Sequence, residues 1–138
     1  MSREDARIDR IRELVRIWNV GDLERYLETF APDAVFNPDP TWPEQGPFRG
    51  DAIGRFMRDY LEAWENAQVV IDHIESHGEV VLARCRWLIT GSASGIDIPT
   101  EFSLVFRIDD EGFVRRMDAF FEHAEARRQA LEAAGLPE

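Results

Sequence analysis

The sequence predicts an α+β fold, in which a curved and mostly antiparallel sheet wraps around helices from the first half of the chain. Apolar residues recur in that half at the spacing of amphipathic helices. From Gln68 onward they alternate with polar residues, as in strands that have one buried face. A last helical segment closes the chain and is ended by Gly135 and Pro137.

The stretch 98–122 dominates the second half and predicts a long β-hairpin. The sequence Asp-Asp-Glu-Gly before Phe113 predicts its turn, because glycine adopts a positive φ without strain. One face of each strand is apolar and needs a cover, which the helices supply. The residues of this face are Phe102, Leu104 and Phe106 in the first strand and Met117, Ala119 and Phe121 in the second.

Three helices are predicted before the sheet. Ser2 and Asp5 resemble a capping box at the start of the first helix, and Gly21 ends it. Asp22 caps a short second helix, and Gly50 precedes the third. The apolar stripes of these helices include Leu14 and Trp18 in the first, and Phe56, Met57, Tyr60 and Trp64 in the third.

Residues 37–48 contain four prolines and predict an ordered loop, because proline fixes φ and lacks a backbone donor. Asp39 lies between two of these prolines, where it is either a general base against apolar neighbours or a solvated turn residue. Such a loop has no hydrophobic core in which Trp42 could be buried, so this residue predicts a lid over a binding site. Asn37, at the start of the loop, is placed to orient a substrate.

The composition excludes several classes of function. A formal charge of −11 disfavours nucleic-acid binding. All 16 basic residues are arginines, which excludes Schiff-base chemistry and the lysine of a phosphate-binding loop. The sequence shows no apolar run of membrane-spanning length and no apolar signal segment, and its one cysteine, Cys85, cannot form an internal disulfide. We therefore expect a cytoplasmic protein without membrane or nucleic-acid partners.

The three histidines do not predict a metal site. His73 and His77 lie on a strand and its turn rather than on one helix face, so their rings are not expected to converge. His123 follows the last strand near the expected edge of the cavity, where it would donate or accept a proton. Cys85 is expected to be a small buried residue.

Several short stretches occur in an order and spacing that is specific for one fold. They are Asn-Val-Gly-Asp-Leu at 19–23, Phe-Ala-Pro-Asp-Ala-Val-Phe at 30–36, Phe-Arg-Gly-Asp-Ala-Ile at 48–53 and Leu-Glu-Ala-Ala-Gly-Leu at 131–136. Together they resemble the SnoaL-like group of nuclear-transport-factor-2-like proteins over nearly the whole chain. The resemblance implies a single domain over 1–138, a cone-shaped barrel with a deep apolar cavity, and a homodimer.

The resemblance does not choose a reaction, because this fold supports many. The catalytic tyrosines of ketosteroid isomerases correspond to Leu14 and Met57, and their oxyanion aspartate to Leu104, so that mechanism is disfavoured. The Arg-x-Asp pair of epoxide hydrolases corresponds to Arg84 and Arg86, in which the arginine matches and the acid does not.

The direction of the Arg84 and Arg86 side chains has two possible interpretations. The apolar alternation of their strand directs both outward, whereas the resemblance to epoxide hydrolases directs them inward, toward a carboxylate or enolate oxygen. The patterning favours the outward direction.

We therefore expect a small-molecule pocket protein that performs cofactor-independent proton transfer, such as isomerisation, cyclisation or dehydration, on an apolar cyclic compound. A binding module without turnover and an epoxide hydrolase-like enzyme are the alternatives. Asp39 and His123 are the expected catalytic residues, with no metal and no cofactor. The expected ligand contacts are Trp18, Asn37, Trp42, Phe56, Tyr60, Arg84, Phe102, Leu104, Met117, Ala119 and Phe121.

A dimer interface is expected on the convex face of the sheet. Val105, Val114 and Phe120 lie opposite the cavity side of the hairpin in this pattern, and an exposed apolar patch of that kind marks an interface.

Overall fold

The computed structural model describes residues 2–63, 68–88 and 101–137. The elements in chain order are α1 (Arg3–Val20), α2 (Leu23–Glu28), β1 (Phe30–Asn37), β2 (Phe48–Arg49), α3 (Asp51–Ala63), β3 (Gln68–His77), β4 (Val80–Leu88), β5 (Glu101–Ile108), β6 (Val114–Phe120) and α4 (His123–Ala133). The expectations for Trp64 and for the first residues of the hairpin, 98–100, lie outside the described residues.

The six strands form one curled sheet in the order β2-β1-β6-β5-β4-β3, which confirms the predicted α+β fold. Every pairing is antiparallel except that of β1 with β6. The sheet is open rather than a closed barrel, with β2 and β3 as its two edges. The apolar side of α1 packs on the concave face, where Ile11, Leu14 and Trp18 join one buried cluster with residues of β4, β5 and β6.

The predicted ends of the first helices are confirmed. The Ser2 hydroxyl accepts a hydrogen bond from the Asp5 amide at 3.0 Å. Gly21 has a φ of 88° and ends α1 in the left-handed conformation that glycine favours. The Asp22 carboxylate accepts a hydrogen bond from the Arg25 amide at 3.1 Å and so caps α2.

Arg7 ties α1 to two turns of the sheet. Its guanidinium donates to the carbonyls of Ile108 and Gly78 at 3.1 and 3.4 Å, and to the Asp110 carboxylate at 2.8 Å. Only 7% of the residue is exposed. The amphipathic pattern of the first helix predicts that its arginines lie on the face opposite the apolar stripe, in solvent. The burial of Arg7 corrects this expectation and depends on the two turns folding beneath α1.

The predicted dimer interface is not an exposed patch. Val105 and Phe120 are buried with Ala126 and Ala130, because α4 packs across the convex face. Val114 belongs instead to the cluster on the concave side. One extra residue of β6 lies between its pairings with Arg107 and Ile108, and this bulge reverses the side on which Val114 falls. A homodimer stays a prediction, without this interface.

Within the described residues, none of the helices combines the length and the apolar character that crossing a membrane requires.

Candidate functional site

A cavity of about 110 Å³ lies between the concave face of the sheet, α1, α3 and the proline loop. A single water needs about 10–15 Å³ by this kind of measure, so the space holds a small organic molecule. Nearly all of its surface is apolar. Such a site binds through shape and ring contacts rather than through hydrogen bonds.

Four of the predicted ligand contacts reach the cavity from the helices and the loop. They are Trp18 on α1, Phe56 and Tyr60 on α3, and Trp42 in the loop. Trp42 packs on Tyr60 with ring centroids 5.9 Å apart and on Phe121 at 6.2 Å. Trp42 therefore forms part of the cavity wall, which is the position expected of a lid.

Five further predicted contacts line the cavity from the hairpin and its end. They are Phe102, Leu104, Met117, Ala119 and Phe121. Leu104 and Ala119 are directly paired across β5 and β6, which places the smallest side chain of the hairpin wall beside a larger one. A ligand-binding role for these nine residues stays a prediction.

Four further aromatic residues belong to the wall and were not among the predicted ligand contacts. Trp87, Phe106, Phe36 and Tyr26 all line the cavity. For Phe106 and Trp87 the signal was present, because each shares a strand face with residues that alternation had already marked as buried. For Tyr26 the signal was short but present, because it shares with Leu23 and Leu27 the i, i+3, i+4 spacing of a helix face.

The rings of the wall form a continuous network. Trp87 is central, with ring centroids 4.6 Å from Phe102, 5.3 Å from Tyr60 and 6.3 Å from Trp18. Trp18 in turn lies 5.1 Å from Tyr26 in an edge-to-face arrangement. These separations are those of favourable aromatic pairs.

The two tyrosines of the wall are protonated at neutral pH. Burial raises the pKa of Tyr26 and that of Tyr60 above the ordinary value, because a phenolate would lose its hydration. The Tyr26 hydroxyl lies 3.9 Å from the Met117 sulfur. Both side chains present neutral phenols to the cavity region.

Asp39 also lines the cavity and is only 7% exposed. Its Oδ1 accepts a hydrogen bond from the Phe121 amide at 2.7 Å. Its Oδ2 accepts from the Thr41 amide at 2.7 Å and from the Thr41 hydroxyl. These donors stabilise the carboxylate without a cation and fasten the loop to the end of β6.

The loop is held further by its own side chain Gln45. The Gln45 amide nitrogen donates toward the carbonyls of Asp39, Pro40 and Trp42 at 3.1, 3.2 and 2.6 Å. The Trp42 amide donates to the Asp39 carbonyl at 2.9 Å. These hydrogen bonds fix the conformation of the loop, and with it the position of Trp42 over the cavity.

Asn37 and Arg84 do not line the cavity. The Asn37 amide donates to the Asp118 carboxylate at 2.9 Å, on the side opposite Phe36. The Arg84 guanidinium lies 3.7 Å from the Glu101 carboxylate and is about half exposed. Because Ala83 beside it points into the core, strand alternation turns Arg84 outward. The predicted ligand contacts of both residues are corrected accordingly, and the outward direction favoured by patterning is what the structure shows.

His123 lies outside the cavity as well, which corrects its expected position. Its Nδ1 is 2.8 Å from the Ser103 hydroxyl, where α4 begins on the convex face. Burial lowers the pKa of His123, and the positive charge of Arg84 lowers it further. The reason for the error is local: Phe121 ends the wall, and the chain then crosses to the other face of the sheet.

Among the residues that the structure describes, the other reactive side chains form no second candidate site. Burial raises the pKa of Cys85 to about 12, with a smaller contribution from the charge of Asp72, so the thiol is unreactive. Across residues 2–63, 68–88 and 101–137, no three His, Cys, Asp or Glu side chains are grouped to hold a metal ion.

A curled sheet that encloses an aromatic cavity against its first and third helices defines a pocket fold of the nuclear-transport-factor-2-like class. Residues 11–129 match the model of the SnoaL-like domain family. The chain therefore belongs to the SnoaL-like family.

Solved structures share this fold. An NTF2-like protein of unknown function from Burkholderia pseudomallei is 21% identical with a TM-score of 0.74, over 94% of this chain and 98% of that one. The epoxide hydrolase/cyclase-like enzyme SalBIII of salinomycin pyran ring formation is 18% identical with a TM-score of 0.67, over 84% and 90%. TerC, co-crystallised with polyporic acid, is 18% identical with a TM-score of 0.70, over 91% and 98%. The comparison with curated proteins gave no match.

Proposed function

We propose that the protein binds an uncharged, ring-containing small molecule in the cavity. The observation that carries the proposal is the composition of the wall, in which ten of nineteen residues are aromatic and none is an arginine. Burying apolar ligand surface there gains about 25 cal/mol per Å². An anionic ligand would lose its hydration and meet Asp39 without a compensating cation.

One structural neighbour acts in ring formation, which agrees with a ring-containing ligand, whereas the acid bound to another gives no support for an uncharged one. SalBIII acts in the formation of a pyran ring, and TerC was crystallised with polyporic acid. At their level of identity these proteins share the fold alone, so the chemistry of this chain depends on its own wall.

Calorimetric titration with small neutral ring compounds tests the proposal. We expect saturable binding of at least one among toluene, 2-cyclohexenone and cyclohexene oxide. Benzoate serves as the control, because it replaces the methyl group of toluene by a carboxylate, and we expect it to bind at least about tenfold more weakly. Binding of benzoate as tight as that of toluene, or no binding of any neutral compound, contradicts the proposal.

A second candidate function is cofactor-independent proton transfer, as in an isomerase, cyclase or dehydratase. The observation that favours it is the buried carboxylate of Asp39 on the cavity wall. Asp39 would take a proton from a carbon next to a carbonyl and return it at another carbon, so that the substrate is isomerised without an external oxidant. Epoxide hydrolysis has less support, since Arg84 lies outside the cavity.

Asp39→Asn tests this second function. If Asp39 is the base, we expect isomerisation of 3-cyclohexenone to 2-cyclohexenone, in which a proton leaves C2 and returns at C4, to fall by about 10²–10⁴ while ligand binding is retained. Thr41→Val is the matched control, because it removes one donor to the carboxylate and leaves the acid in place. A fully active Asp39→Asn protein would rule Asp39 out as the base. A wild-type protein that binds ring compounds and turns none over would leave binding as the function.

A further inference from the structure

We infer that the cavity selects aromatic rings over saturated rings of the same skeleton, with Trp87 as the main determinant. The inference rests on the proposed function and narrows its ligand class to small, neutral aromatic compounds. The arrangement of the rings in the wall carries the inference, because hydrophobicity alone would not favour an aromatic ring over a saturated one.

Trp87 occupies the centre of the aromatic network. Its ring is stacked on Phe102 at 4.6 Å and 22°, and lies 5.3 Å from Tyr60 at 30°. Both partners also line the cavity. Trp87 is only half buried, whereas Ala83 and Cys85, which precede it on the same face of β4, are fully buried. The indole therefore keeps surface that the protein core does not cover.

Rings also face the cavity from the side of α3 and the loop. Phe56 and Tyr60 lie nearly parallel, with centroids 6.5 Å apart and planes at 20°. Trp42 and Phe121 meet at 6.2 Å and 59°. All of these residues line the cavity, so a flat ligand bound there is offered the faces of some rings and the edges of others. Aromatic pairs favour such offset and edge contacts beyond their buried area, by about two- to tenfold in affinity for each pair.

A saturated ring of the same skeleton lacks these contacts. It has more hydrogen atoms and slightly more apolar surface, so transfer from water alone would favour it over the aromatic ring. A preference for the aromatic compound therefore has to come from ring–ring contacts. The expected order of affinities is therefore the reverse of the order that an apolar cavity without aromatic rings would give.

The test compares toluene with methylcyclohexane by calorimetry on the full chain. For the wild type we expect toluene to bind at least about tenfold more tightly. Trp87→Leu keeps an apolar side chain and removes the ring, and we expect the ratio to fall to within about threefold. Leucine also opens space in the cavity, which favours the thicker saturated ring, so the ring contact is identified by a fall of about two- to tenfold in the affinity for toluene itself.

Phe48→Leu is the matched control. Phe48 belongs to the same ring network, 5.0 Å from Phe56, and does not line the cavity. We expect this variant to keep the wild-type ratio. Phe121→Leu removes a ring from another part of the wall and provides a second measurement if Trp87→Leu does not fold; we expect it to lower the ratio as well.

The outcomes separate the inference from the proposed function. If both compounds bind the wild type equally well, aromatic selection is wrong and the binding of neutral rings stands. If neither compound binds, the proposed function fails first. The role of Trp87 is overturned if Trp87→Leu leaves the ratio of toluene to methylcyclohexane affinity unchanged. It is also overturned if Phe48→Leu lowers this ratio by the same amount.

Discussion

Ala119→Phe is expected to lower ligand affinity by about 10- to 150-fold while the protein remains folded. Ala119 lines the cavity opposite Leu104, and a phenyl group there would occupy much of the roughly 110 Å³ available to a ligand. The displaced ligand loses the burial of one ring, which is about 1.5–3 kcal/mol. The new side chain fills a void, so the cost in stability is expected to stay below the about 1–3 kcal/mol of overpacking a filled core.

Calorimetry with the tightest neutral ligand measures the loss, and thermal unfolding measures the stability. Ala119→Val is expected to give an intermediate affinity, because it fills less of the space. Ala124→Phe adds the same ring at an exposed position of α4 and is expected to change neither quantity. If Ala119→Phe unfolds the protein, the position belongs to a filled core and the ligand site lies elsewhere.

Arg7→Met is expected to destabilise the fold by about 3 kcal/mol, which lowers the melting temperature by about 10 °C for a domain of this size. Methionine keeps the buried stem and removes the guanidinium. The carbonyls of Ile108 and Gly78 then lose their charged donor where α1 covers the two turns. Asp110 contributes less to the loss, because its side chain is 64% exposed and is hydrated in the variant.

Arg3→Met is the control for Arg7→Met. Arg3 also approaches Asp110, at 3.7 Å, yet its side chain is 82% exposed. An exposed pair of this kind contributes at most about 1 kcal/mol, so we expect little change in melting temperature. Arg7→Lys is expected to recover only part of the loss, since one ammonium cannot reproduce the three directions of the guanidinium. Equal effects of Arg3→Met and Arg7→Met would show that charge alone matters at this site.

Local features of this chain were readable from the sequence because their partners are near in the chain. Ser2 and Asp22 cap helices through amides three residues away, and Gly21 ends α1 by its own backbone conformation. Strand alternation placed Leu104 and Ala119 on the cavity side for the same reason, since successive side chains point to opposite faces. The class of fold and a large part of the aromatic wall follow from such rules.

Errors arose where one irregular residue changed a regular pattern. The bulge in β6 moves Val114 from the convex face to the core, and alternation gives no sign of it. His123 was expected at the cavity because the preceding Phe121 lies there, but α4 starts immediately and crosses to the convex face. The bulge has no distinctive residue pattern of its own. The helical pattern from His123 to Ala134 did predict where α4 begins, but not the face of the sheet on which it packs.

Contacts between distant parts of the chain were decided by the tertiary structure alone. Asp39 meets the Phe121 amide across 82 residues, and Arg7 meets Ile108 across 101. Both side chains are polar and buried. The sequence pattern had predicted a catalytic or solvated position for Asp39 and a solvated position for Arg7. The physical reason is that a buried polar group is stable only where hydrogen-bond donors or acceptors are positioned to pair with it. Those partners exist only once the loop, the turns and the sheet have come together.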